Sequence, residues 1–324
     1  MKVRVGVIGV GNQGMSHVKR LLELDNAEVT TVYDANPETA ARVAAEIGAN
    51  AVDSYDAMMD TRRIDAVIIC APQFARDGME ETAARRGIHL LSEKPLGLDL
   101  AKVKEKARII AESGIINAAG YCLRYYDTVI KAKAYLQGKP VHMVQVSRIG
   151  SAKGWPKWML QQHLSGGNMI AGVTHQIDLV RFLGGEFTSV SAQFNRMEHP
   201  IKDPIDTIID SGAATFTMAN GSVGTISEST ASTKFSDAEI KFVGYDFFLH
   251  LSRNGGTLTI VDENGTYTEN ATINAMYGQA KAFVDAVQNR DQSIVNSSFI
   301  DGVKTLEFTL ASVQSSEEQR VIHL

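Results

Sequence analysis

Val3-Arg4-Val5-Gly6-Val7-Ile8-Gly9-Val10-Gly11-Asn12-Gln13-Gly14 decides how the rest of this chain is read. The run up to Gly9 is apolar and β-branched, the pattern of a buried parallel strand. Met15, Val18, Leu21 and Leu22 then recur at helical spacing, so a helix opens between Gly11 and Gly14. The three glycines answer separate steric demands. Gly9 permits the tight turn, Gly11 lets backbone come close to a pyrophosphate, and Gly14 lets the helix lie against the strand. With Asn12 and Gln13 beside them, the helix N-terminus offers unbonded N–H groups and a partial positive charge to the phosphates. A second apolar run, Val29-Thr30-Thr31-Val32-Tyr33, ends in Asp34, twenty residues beyond Gly14. A carboxylate there accepts hydrogen bonds from both hydroxyls of a ribose. The competing reading, a glycine-rich turn with no ligand, loses ground once strand, glycines, helix and acid are required together.

At 324 residues the chain can form two domains with sizeable cores. Hydrophobic residues make up 44% and charged residues 21%, ordinary values for a globular enzyme. A net charge of −5 argues against nucleic acid as the partner, because phosphate binding needs a basic face. No apolar run reaches the length of a membrane span, so no membrane partner is expected. Lys2 and Arg4 before an apolar run echo a signal peptide, but glycines interrupt that run and it belongs to the nucleotide fingerprint. Cys70 and Cys122 are the only cysteines, and nothing suggests a disulfide framework or a metal site. The expected location is cytoplasmic.

Strand and helix alternate through residues 1–121. Asn36-Pro37 starts a helix that runs to Gly48. Ala66–Ala71 reads as a strand broken by Pro72, and a helix follows to Arg86 with Gly87 as its stop. His89–Ser92 is the next strand, Asp99 caps a helix to Gly114, and Ile115–Tyr121 is another strand. Repeated βα units predict a doubly wound parallel sheet, a nucleotide-binding domain. Residues 122–324 differ. Helices near Asp127–Gln137 and Gly167–Leu183 enclose the strand Val141–Ile149 and a loop with Trp155, Lys157 and Trp158. Alternating runs follow at Ser189–Asn195, Ile209–Met218, Ser222–Thr230, Glu239–Val243, Phe247–Leu251 and Thr257–Val261. Asn220-Gly221 joins two of them as a tight hairpin. These predict an α+β domain with an open, mostly antiparallel sheet, closed by helices at about Ala275–Asn289 and Asp301–Ser315 and a short apolar tail.

Ligands of a parallel sheet bind beyond the carboxyl ends of its strands. Gly9, Asp34, Ala71-Pro72-Gln73, Glu93-Lys94-Pro95 and Tyr121 fall at five such ends and so share one edge. Gln73 either bonds a ribose or caps the next helix. Lys94, beside a dinucleotide, can donate to a substrate hydroxyl; its other reading is a solvated partner of Glu93. In the second half His175 is the best proton-handling group, with Asp178 three residues on as its neighbour on one helix face. A structural histidine with a capping or salt-bridging aspartate is the alternative. His163 lies nearby among glutamines and carries less weight. Trp155 and Trp158 either present flat faces to a sugar ring or pack in the core.

GVGNQG, VYDAN, APQ, SEKPLG, GYCLRYY and SGG…HQIDLVRFLGGE, in this order, resemble the glucose-fructose oxidoreductase and inositol dehydrogenase (Gfo/Idh/MocA) family over essentially the whole chain. The resemblance implies a Rossmann domain followed by an α/β domain whose open sheet mediates homodimers or homotetramers. It places the family's lysine on Lys94 and its histidine on His175, and it puts Arg124 and Tyr125 near the active site. Two departures stand out. Many sugar and cyclitol dehydrogenases of the family carry an aspartate four residues before the histidine, where this chain has Ala171. The family's Thr-Pro-Asn is here Ala71-Pro72-Gln73. The expected activity is NAD-dependent hydride transfer from a secondary alcohol of a sugar, sugar derivative or cyclitol. His175 would be the base, Lys94 the donor to the reacting oxygen, and Asp178 would orient His175 or touch the substrate. One rival retains and recycles NAD through a transient oxidation; another is a sugar sensor that binds NAD without chemistry.

Overall fold

The computed structural model describes residues 1–197 and 207–324. It divides into two compact units, Met1–Tyr125 with Asn274–Val303, and Tyr126–Ile273 with Lys304–Leu324. The first carries strands β1 (Val3–Ile8), β2 (Ala27–Tyr33), β3 (Asn50–Ala51), β4 (Ala66–Ile69), β5 (His89–Ser92) and β6 (Asn117–Ala119). Helices α1 (Asn12–Leu22), α2 (Pro37–Ile47), α3 (Tyr55–Met58), α4 (Met79–Arg85) and α5 (Leu100–Ser113) lie between them. All six strands run parallel in the order β3-β2-β1-β4-β5-β6. The chain winds outward from β1 in one direction and from β4 in the other, so the topological switch point falls between those two strands. Local chemistry sets the helix ends as the sequence indicates. The Asn36 side chain accepts from Glu38 N and Thr39 N ahead of Pro37, and Asp99 accepts from Lys102 N. The strand expected at Ile115–Tyr121 is shorter, because Tyr121 N turns back onto Ala119 O and a 3₁₀ turn, Cys122–Tyr125, follows.

The second unit begins with α6 (Asp127–Leu136), β7 (Met143–Ile149), α7 (Gln162–Ser165), α8 (Gly167–Ala171) and α9 (Thr174–Gly184). It continues with β8 (Phe187–Asn195), β9 (Ser211–Met218), β10 (Val223–Ser229), β11 (Asp237–Val243), β12 (Phe248–Ser252), β13 (Thr257–Asp262) and β14 (Gly265–Asn270). The chain closes with α10 (Ala275–Asn289), α11 (Phe299–Glu318) and β15 (Ile322–His323). The nine strands from β7 onward form one sheet in the order β14-β13-β12-β11-β7-β10-β9-β8-β15, antiparallel except where β7 meets β10. The helix expected across Gly167–Leu183 is broken in two: Asn168 O accepts from both Gly172 N and Val173 N, which turns the chain between α8 and α9. Strand β14 escapes a hydrophobic reading because nearly all its side chains are exposed, and the apolar tail is β15, paired with β8.

Residues alternate cleanly between the faces of this second sheet. On β10, Gly224, Ile226 and Glu228 are buried while Val223, Thr225 and Ser227 are exposed. Phe187 stacks on Phe308 with ring centroids 3.8 Å apart in the core. The other face is open and rich in threonine and serine. The boundary expected at residues 121 and 122 differs from the observed division, because α10 returns to the first unit and packs Phe283 and Val287 into the core that holds Val18 and Leu21 of α1.

Candidate active site

In the first unit the glycine loop has the geometry its sequence demands. Gly9 takes φ +80°, and a Cβ there would lie 3.0 Å from Ala71 N, so the ends of β1 and β4 touch at the switch point. A Cβ on Gly14 would sit 1.9 Å from Gly9 O, which only glycine avoids. A Cβ on Gly11 meets nothing within 4 Å. The loop is therefore closed where the helix must touch the strand and open where a pyrophosphate would approach. Asp34 is half-buried at the end of β2; one carboxylate oxygen accepts from Val10 N and the other from Asn36 N, each at 2.9 Å. The acid is thus fixed against the glycine loop, as a ribose-gripping carboxylate must be. These residues fit a dinucleotide.

Lys94 stands on a buried network. Glu93, only 4% exposed, accepts from Gln13 Nε2 at 2.9 Å and from Lys94 N at 3.1 Å, and His17 Nε2 lies 2.8 Å from it. A carboxylate only accepts, so Nε2 of His17 carries the proton in that bond. Burial by itself would raise this acid, but the hydrogen bond and charge of His17, the charge of Lys94 and the Gln13 amide hold it well below the usual carboxylate range. Gly120 is required beside it, since a Cβ there would come within 2.7 Å of Glu93 Oε2. Beneath, the buried Arg76 guanidinium donates to Ser92 Oγ at 2.8 Å and to the carbonyls of Glu93 and Pro95, so it holds the backbone on both sides of Lys94. Glu80 anchors this layer, accepting from Ser92 Oγ at 2.9 Å and from Lys106 Nζ at 3.0 Å.

Other expected residues serve this unit differently. The Gln13 side chain is engaged with Glu93. Arg124 and Tyr125 are buried; Arg124 donates to Asn296 O and pairs with Asp301, each at 2.6 Å, and the Tyr125 hydroxyl accepts from Asn296 N at 3.0 Å. Their polar ends secure the segment that leads into α11. Gln73 opens a 3₁₀ turn directly after Ala71 and Pro72.

In the second unit His175 is the second residue of α9 and half-buried. Asp178, one turn on, is buried and accepts from Thr305 Oγ1 at 3.0 Å, while Arg181 donates to the same hydroxyl at 2.8 Å. That tie makes the aspartate an anchor of α9 on α11. Trp155 packs half-buried against Ala152, Leu160 and Ile208, Trp158 is half-buried in a 3₁₀ turn, and His163 is exposed on α7. Below α8 lies a pair that sequence reading missed: Asn168 Nδ2 donates to Glu228, both buried. Burial pushes the Glu228 carboxyl up to about 7; the Asn168 bond and Arg148 oppose this, and Asp210 adds to it. A glutamate at an inward position of a strand was the available signal. His17 had a similar one, lying on the face of α1 that carries Gly14, Val18 and Leu21. Nothing in the sequence marked Arg76.

Two family profiles match the chain, one described as an oxidoreductase family with an NAD-binding Rossmann fold over residues 3–121, the other as the GFO/IDH/MocA C-terminal domain over residues 135–246. The chain belongs to the Gfo/Idh/MocA oxidoreductase family. It is an oxidoreductase, and NAD is its cofactor. Among Gfo/Idh/MocA relatives, the NAD-dependent scyllo-inositol 2-dehydrogenase of Bacillus subtilis is 27% identical over 97% of this chain and 94% of its own. The inositol 2-dehydrogenase of Rhizobium meliloti is 25% identical over the full length of both. A solved levoglucosan dehydrogenase with NADH shares the fold at a TM-score of 0.90 and 20% identity, covering 100% of this chain and 99% of its own. Among the described residues no helix is long and apolar enough to cross a membrane, and no three histidine, cysteine, aspartate or glutamate side chains gather as a metal site.

Proposed function

We propose that the protein oxidises a secondary alcohol of a sugar, sugar derivative or cyclitol, with NAD as hydride acceptor. The observation that carries this reading is the Lys94 platform: an ammonium on backbone held by Glu93, His17, Gln13 and Arg76, in the unit that holds the glycine loop. Gly9, Gly11, Asn12, Gly14 and Asp34 would hold the dinucleotide, with Ala71, Pro72 and Gln73 beside the loop. Lys94 donates to the reacting hydroxyl oxygen and stabilises the negative charge that develops on it. His175 takes the hydroxyl proton. The inositol and levoglucosan dehydrogenases among the relatives support a polyol or sugar as substrate.

The same reading extends to assembly and location. The open threonine- and serine-rich face of the second sheet is the surface through which we expect a homodimer or homotetramer to form. Two cysteines with no disulfide suit the reducing cytoplasm. The test is a panel of cyclitols, hexoses and anhydrosugars assayed for NADH formation. Accumulation of NADH with one of them supports free hydride transfer to NAD. Conversion of a sugar without added NAD would instead show a recycled cofactor, and binding without conversion would show a sensor.

A further inference from the structure

His175 stands two residues after the junction of α8 and α9, and Asn168, just before that junction, bonds to the sheet. Asn168 accepts through its carbonyl oxygen from Gly172 N at 2.7 Å and from Val173 N at 2.8 Å, which fixes the turn into α9. Its side-chain oxygen packs so closely on the turn that a Cβ on Gly172 would lie 2.3 Å from it. Its side-chain nitrogen donates to Glu228 on β10. Helix α8, Gly167-Asn168-Met169-Ile170-Ala171, has no acid of its own; a carboxyl bonded to it comes from the sheet. Glu228 is 4% exposed, and its other carboxyl oxygen is buried without a hydrogen-bond partner among the described residues. Arg148 on β7 and Asp210 are the charged groups that act on it. A buried glutamate with a single hydrogen bond is costly to keep where an apolar residue would fill the same inward position.

We infer that Glu228 is a positioning residue for His175, acting through Asn168 to hold the α8–α9 turn in register with the sheet. The inference rests on the reading of His175 as the base. A bond from the sheet to the turn limits how far the first residues of α9 shift, and proton transfer falls steeply with small misplacement. The bond holds the turn and involves none of the residues proposed to bind NAD or substrate, so substrate and NAD binding should change little.

The experiment compares Glu228→Ala, Asn168→Asp and the exchanged pair Asn168→Asp with Glu228→Gln. Asn168→Asp replaces the amide donor by a carboxylate, so no donor remains once both acids are ionised, and kcat is compared well above the Glu228 value of about 7. The exchanged pair restores it with donor and acceptor reversed. We expect kcat with a turned-over polyol to fall about 10- to 100-fold in Glu228→Ala and Asn168→Asp, with KM for NAD unchanged. The exchanged pair should recover kcat to within about threefold of Glu228→Gln alone. Glu228→Gln keeps shape and acceptor, so it provides a folded reference if either single variant misfolds. Wild-type kcat in Glu228→Ala, or no recovery in a folded exchanged pair, overturns the inference. His175→Asn, run alongside, separates the two failures: if that variant is active, the assignment of the base falls instead.

Discussion

Each compact unit buries a glutamate tied, directly or through Asn168, to a segment that carries a residue proposed to act in catalysis, and the two glutamates are treated in opposite ways. Glu93 and Glu228 are equally hidden from water, at 4% exposure each. Glu93 collects a glutamine amide, a histidine and the Lys94 backbone N–H, and its carboxylate is held well below the usual range. Among the described residues Glu228 has Asn168 alone as a side-chain donor, and it is pushed up to about 7. Equal burial gives opposite shifts because desolvation is common to both, while the donors and neighbouring charges are not. A charged Glu93 suits the proposed role of Lys94 as a donor to the reacting oxygen. A Glu228 poised near neutrality suits a tie that needs only an acceptor.

The contrast can be broken most forcefully at Lys94. Lys94→Ala should lower kcat by roughly two to four orders of magnitude with NAD affinity little changed. Turnover near wild type would show that the Glu93 platform supports a structural lysine only. In the other unit, His175→Asn should remove the acidic limb of the kcat/KM profile together with most activity. A slow mutant that keeps the limb would hand the base role to another group, with His163 the next to substitute.

Next in size is cofactor choice. Asp34 would face the 2′-phosphate of NADP as like charge against like, and Ala35, Asn36 and Pro37 supply no cation. A preference for NAD of about a hundredfold or more in kcat/KM should follow, and Asp34→Ser with Ala35→Arg should narrow or reverse it. Equal use of both cofactors by the unaltered protein would mean that Asp34 does not face the ribose.

The finest test reads the glutamates through stability. Glu93 lies lower when folded than its ordinary 4.5, so it contributes stability above that value that is lost as the pH falls below it. Glu228 lies higher when folded, at about 7 against 4.5, so the unfolded chain binds fewer protons between those values and stability falls as the pH rises through them. Urea titrations of Glu93→Gln and Glu228→Gln against wild type should therefore diverge in opposite senses. Glu93→Gln loses ground to wild type as the pH climbs from about 3 to 5, and Glu228→Gln gains ground from about 5 to 8. PH dependences of the same sign would dissolve the contrast.

Much of the first unit was legible in the sequence because its chemistry is local. The glycine spacing, the Asp34 position, the Asn36-Pro37 and Asp99 caps and the apolar strands are each fixed by neighbours within a few residues or by the rules of parallel sheets. The same locality made the second sheet's alternating strands and the Asn220-Gly221 hairpin readable. The helix pattern through residues 167–183 was visible too, but its break was not, because that break follows from the Asn168 backbone oxygen accepting from both Gly172 N and Val173 N.

What the tertiary structure alone decided are the partners joined across long stretches of chain. Glu93 meets His17 and Gln13 from α1, Arg76 reaches back to the carbonyls around Lys94, Arg124 secures Asn296 and Asp301, and Glu228 finds Asn168 sixty residues away. No periodicity encodes such pairs, since each side chain is unremarkable in its own segment and acquires its role from the backbone folded against it. The sequence by itself determined most of the elements and the glycine loop and acid proposed to hold a dinucleotide, because those depend on backbone sterics and hydrophobic period. The charge state of each buried acid, and which residues steady Lys94 and the turn before His175, depend on donors that only the fold brings within hydrogen-bonding distance.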